Sequence, residues 1–224
     1  MNAFKTFLLG AALALPMAAG ANAASVIWDN SPASGAINPF GAGGTPTYGE
    51  VFTAPVSGTL TSFSLWLAAG VGSVEGAVGT WNGGSGFATG GGSPTTLYVS
   101  GPQASSGAQK FTFTPNLAVV AGQNYVAFLS TFGDAAADPT AGVDMPLSTN
   151  FISGVDYFVF NNGGSPYGNA SWDYFTGFGN VQFAATFVSS PAPEPAAWTL
   201  MLAGFGGLGV VLRGSRRRQA MLAA

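Results

Sequence analysis

The chain has 224 residues, with six Lys and Arg against nine Asp and Glu, and it contains neither histidine nor cysteine. Without histidine it lacks the commonest general base and metal ligand, and without cysteine it has no disulfide or thiolate chemistry. Between residues 24 and 190 eight carboxylates stand against Lys110 alone, a net charge of −7, so no clustered Lys or Arg is available to neutralise nucleic-acid phosphates.

In chain order, the first element is an export signal over residues 1–23. Lys5 gives a weakly positive start, Phe7 to Ala19 is an apolar region of signal-peptide length, and Ala21-Asn22-Ala23 supplies the small residues of a cleavage site. The expected partners are the Sec translocon and signal peptidase, and the mature chain is expected to begin at Ala24.

Residues 24–190 have the length of one domain with a real core, and their periodicity is that of strands. Phe63, Leu65 and Leu67 alternate with Ser62, Ser64 and Trp66. Phe111 and Phe113 alternate with Thr112 and Thr114, and Val181, Phe183, Ala185 and Phe187 with Gln182, Ala184 and Thr186. Further strands are predicted at 26–28, 50–53, 74–81, 95–100, 125–130 and 156–160, which are rich in aromatic and β-branched residues. No stretch of this region carries a sustained helical stripe. Asn82-Gly83-Gly84 and Asn162-Gly163-Gly164 supply tight turns, and residues 83–92 read as one mobile loop. The expected fold is all-β, a single jelly-roll-like β-sandwich.

Three sets of side chains in this region invite a function. Asp134, Asp138 and Asp144 crowd one loop, a candidate Ca²⁺ site of hard oxygen ligands, with a solvated acidic loop as the plainer alternative. Trp81 and Trp172 lie beside turn residues and are candidate glycan-stacking rings, against the alternative that they fill the core. The third set would be catalytic, and none is found. No carboxylate pair stands out for glycoside hydrolysis, and Lys110 belongs to no Ser-x-x-Lys pattern. The region is therefore expected to be non-catalytic.

Residues 190–195 read as an extended spacer. Beyond Pro193-Glu194-Pro195 and Trp198 runs an uncharged apolar stretch, residues 196–212, expected to form a single transmembrane helix. As a helix it is about 25 Å long, the lower limit for a hydrocarbon core. Arg213, Arg216, Arg217 and Arg218 follow it, four of the six basic residues, and a Lys/Arg excess marks the cytoplasmic side. Residues 24–190 are then oriented outward, and residues 219–224 form a short tail.

Taken together, Pro193-Glu194-Pro195, Trp198, Met201-Leu202-Ala203-Gly204-Phe205-Gly206, Leu208-Gly209 and the arginines resemble the PEP-CTERM sorting signal over residues 191–218. The resemblance implies export in a Gram-negative bacterium and retention in the inner membrane, with the domain in the periplasm. It further implies processing near Pro193-Glu194-Pro195 by an exosortase membrane enzyme, and release to the cell surface or extracellular matrix. The segment 121–130 is similar to a strand entry in exported β-sandwich domains carrying such a tail, with Gly122 at the turn and Tyr125, Ala127 and Leu129 on one face. Two roles follow for the domain. One is a structural or adhesive protein of an exopolysaccharide-rich matrix, and the other is a carbohydrate-binding module using exposed aromatics.

Overall fold

The computed structural model describes residues 23–83, 91–167, 172–174, 179–191, 201–209 and 213. The chain divides into two units, one of which is Ala23–Ser190. In the other, residues 201–209 and Arg213 are helical. Met201, Leu202, Phe205 and Leu208 of that helix are exposed. Among the described residues no helix is long and apolar enough to cross a membrane. Residues 1–22, which hold nearly all of the export signal, and the remainder of 196–212 lie outside the described residues.

The described part of Ala23–Ser190 is built from β1 (Ser25–Asp29), β2 (Gly35–Phe40), β3 (Thr47–Thr53), β4 (Gly58–Leu67), β5 (Gly72–Trp81), β6 (Pro94–Val99), β7 (Gln103–Ser105) and β8 (Gln109–Phe113). It continues with β9 (Leu117–Val119), β10 (Asn124–Ser130), β11 (Val143–Ser148), β12 (Val155–Asn161), β13 (Asp173–Tyr174), β14 (Asn180–Val181) and β15 (Phe183–Ser189). Their pairing is antiparallel. One sheet runs β1-β15-β4-β8 with β9 also on β4, and a larger one runs β13-β12-β3-β10-β5-β6 with β7 also on β5. A small sheet, β14-β11-β2, completes the set. The all-β, sandwich-like expectation therefore holds.

Period-2 alternation explains the main core. Phe63, Leu65 and Leu67 of β4, Phe111 and Phe113 of β8, and Phe183, Ala185 and Phe187 of β15 all turn inward. From the larger sheet Phe52, Val78, Tyr125, Ala127, Leu129 and Phe158 meet them. Gly122 has φ +78, the left-handed turn conformation that glycine adopts without steric cost, so β10 starts in the expected register. Trp66 alternates outward, where Lys110 Nζ lies 4.6 Å from the centre of its ring.

The larger sheet is buried on both faces. Its outer face carries a second core of Val51, Ala77, Trp81, Val126, Phe128, Tyr157, Val159 and Trp172, with Tyr167 and Tyr174 packed against it. This is why β3, β10 and β12 read as nearly continuous buried runs, where strands half-exposed to water would alternate.

Candidate functional site

The first and last strands of Ala23–Ser190 are paired at their outer ends. In the β1–β15 ladder Ser25 pairs with Val188. Ala24 N–H donates to Ser189 Oγ at 2.9 Å, and Ser189 N–H donates to the Ala24 carbonyl at 2.8 Å. Chain removed before Ala24 or after Ser190 would break no strand. Arg213 is exposed on a helical turn. Pro193, Glu194, Pro195, Trp198, Arg216, Arg217 and Arg218 lie outside the described residues.

Of the two alternatives for Trp81 and Trp172, glycan stacking and core filling, their burial at 5 % and 0 % exposure fits the second and corrects their candidacy as exposed stacking rings. Their rings meet edge to face with centroids 6.1 Å apart, and Trp172 meets Phe128 in the same way at 4.9 Å. Trp81 Nε1–H donates to the Tyr157 hydroxyl at 2.9 Å. Glycine lets the chain lie flat on this pair: a Cβ on Gly92 would sit 2.7 Å from Trp81 Cζ2. Gly92 also bridges to Trp172, whose N–H donates to the Gly92 carbonyl at 2.8 Å. The end of the predicted mobile loop is thus pinned, while residues 84–90 lie outside the described set.

Asp134 and Asp138 are engaged by neighbours in their own loop, whereas Asp144 lies in β11 and is held by Asn38. Asp134 Oδ1 accepts the Ala136 N–H at 2.9 Å, and Asp138 Oδ1 accepts the Thr140 N–H and hydroxyl at 2.8 and 2.7 Å. The hydrogen bonds from Thr140 hold the Asp138 carboxyl below its ordinary range. Asp144 Oδ1 accepts from Asn38 Nδ2 at 2.6 Å. Among the described residues no three Asp or Glu side chains are grouped as a metal site needs.

A different constellation forms where β11, β12 and β14 meet. Ser148, Thr149, Asn150, Phe151, Asp156, Gly179 and Asn180 line a cleft of about 280 Å³. Phe151 stands at this cleft 81 % exposed. Asp156 sits where the β12–β3 register shifts between Val155 and Tyr157, and a bulge of this kind re-aims a side chain. Its Oδ2 lies 2.9 Å from the Thr53 hydroxyl, and burial pushes its carboxyl above the ordinary value.

The amides of the cleft are fixed from below. Asn150 Nδ2 donates to the carbonyls of Asn30 and Ser31 at 3.1 and 2.9 Å, and Asn180 Nδ2 donates to the Val155 carbonyl at 3.4 Å. Those bonds settle the orientation of each amide and turn its oxygen the other way. Among the described residues Asn150 Oδ1, Asn180 Oδ1 and Asp156 Oδ1 take no hydrogen bond.

Beside Asn180, fully buried Glu50 accepts the Val181 N–H, and among the described residues its Oε1 has no partner. Burial raises the Glu50 carboxyl well above its usual range, the Val181 bond opposes this in part, and Asp156 adds to it. Sequence reading missed the cleft because its residues come from three separate segments. The one local signal is Phe151, an aromatic three residues before Gly154 in a polar loop.

No family model matches the chain, and neither does any curated protein or solved structure.

Proposed function

We propose that the chain is an exported cell-surface or extracellular-matrix protein, structural or adhesive and non-catalytic, held in the inner membrane by a helix over about 196–212. In this reading exosortase processes it at Pro193-Glu194-Pro195, and its jelly-roll-like body then associates with exopolysaccharide or biofilm matrix. The carrying observation is the sequence of the tail, in which Pro-Glu-Pro, Trp198, an apolar run and an arginine cluster follow one another after a body that ends at Ser190. Two further facts support the reading. Ala24 and Ser189 are hydrogen-bonded neighbours, so trimming both ends leaves the paired strands whole. The large apolar side chains of 201–209 are exposed, as a helix facing lipid requires.

Mass spectrometry of protein released from the cell surface tests this. The expected C-terminus lies close to Pro193-Glu194-Pro195. A membrane-fraction protein that still ends in the Arg216-Arg217-Arg218 tail would overturn the reading.

A further inference from the structure

The geometry points to the cleft at Phe151, Asn150, Asp156 and Asn180 as a binding site for a single ring of a neutral polysaccharide, with Phe151 as its stacking platform. This site is distinct from the buried Trp81–Trp172 pair, and it uses only the body, so it holds whether or not the tail is removed.

Three features select the ligand class. The first is the balance of hydrogen-bonding groups. Both side-chain N–H groups of Asn150 and one of Asn180 are spent on backbone carbonyls, leaving Asn150 Oδ1, Asn180 Oδ1 and Asp156 Oδ1 as acceptors without donors among the described residues. A ligand that satisfies them must bring several O–H or N–H donors.

The second feature is charge. The body has Lys110 as its single cationic side chain, and Lys110 lies on β8 over Trp66, so nothing at the cleft compensates an anionic ligand. The third is Phe151 itself. A single exposed ring is ordinary on a protein surface, but this one stands beside fixed acceptors at a concave site. A pyranose presents hydroxyl donors at its rim and an apolar C–H face, which matches both halves of the cleft. At about 280 Å³ the space lies just below the usual range of small-molecule sites, fitting one ring of a longer chain.

The anchoring is rigid. Ser148 Oγ donates to the Asn30 carbonyl, which also accepts from Asn150, and Asn30 is itself locked to β15 by the Phe183 N–H at 2.7 Å. The acceptors are therefore set before a ligand arrives, which lowers the ordering cost of binding.

Affinity electrophoresis of the purified full-length chain in gels containing dextran, galactomannan or xyloglucan tests the site. Retardation is expected in at least one of these gels. Phe151→Ala should weaken it at least tenfold with no change in melting temperature, and Phe151→Trp should retain it. Ile27→Ala, which removes an equally exposed side chain from β1, should leave it unchanged. No retardation in any of the three gels overturns the inference, as does retardation that survives Phe151→Ala. A melting temperature that rises with Ca²⁺ alone and loses that response in Asp156→Asn, without polysaccharide binding, also overturns it and makes the cleft a cation site. The position of the mature C-terminus does not enter any of these readouts, so failure here leaves the export reading standing.

Discussion

Glu50 Oε2 accepts the backbone N–H of Val181 at 2.9 Å, joining β3 to β14 across 131 residues of sequence. The bond gives a strand that is only two residues long a side-chain partner inside the main core. Its cost is a buried carboxyl whose second oxygen has no partner among the described residues. Burial therefore raises the pKa of the group in the folded protein, whereas in the unfolded chain it ionises near its ordinary value of about 4.3. With the folded value raised, the unfolded chain loses its proton first, so this group's contribution to stability is greatest below about pH 4.3 and declines as pH rises toward the folded value. Asp156, also raised, acts with the same sign. Urea unfolding at a series of pH values should show stability falling as pH rises above about 4.3. Glu50→Gln, which keeps an acceptor for Val181, should flatten that fall.

Trp172 is expected to be a packing residue. Trp172→Ala should destabilise the chain by about 3–5 kcal/mol, the cost of emptying a large aromatic site. Trp172→Phe should cost less, because it also removes an indole Nε1–H that is buried without a partner. Urea midpoints of the two variants check the order.

Gly92 should tolerate no side chain. A Cβ there would meet Trp81 Cζ2 at 2.7 Å and Gly83 N at 2.8 Å, so Gly92→Val must displace the indole and strain its bond to Tyr157. The expected loss is about 1–3 kcal/mol, the usual range for overpacking. It should come with a change in the near-ultraviolet circular dichroism of the tryptophans.

The Tyr167 hydroxyl donates to Glu75 Oε2 at 2.6 Å, tying the covering segment to β5. Burial raises the phenol above its usual value, and the Glu75 bond adds to the rise. Tyr167→Phe should cost about 1–2 kcal/mol as the hydrogen bond to Glu75 is lost. In a double-mutant cycle with Glu75→Gln the two losses should be clearly non-additive, whereas additive losses would show that the contact contributes nothing.

The strands legible in the sequence were those whose neighbours differ in polarity. β4, β8 and β15 have one wet face, so Phe63-Ser64-Leu65 and Phe183-Ala184-Ala185 reveal both strand and register. β2 and β11 contain Pro39 and Pro146, and a proline inside a run argues against a strand. They nevertheless pair with each other in the small sheet, with a register shift between Val143 and Met145. The second core was hidden for a different reason. Trp81 and Trp172 each stand beside turn residues and look exposed in isolation, and only the fold places one against the other. Phe151 is the reverse case, an exposed ring whose polar loop setting is its one local signal.

The position of β15 also sets how this body would bear load. Its C-terminal end leads toward the tail, while β1 grips one side from Ser25 to Asp29 and β4 grips the other from Gly58 to Leu65. Tension entering at Ser189 runs along the strand axis, so the hydrogen bonds of both ladders are strained together in shear. A strand peeled from an open edge would surrender those bonds one after another. The body is thus suited to being pulled by its C-terminal end, as a tethered precursor would be.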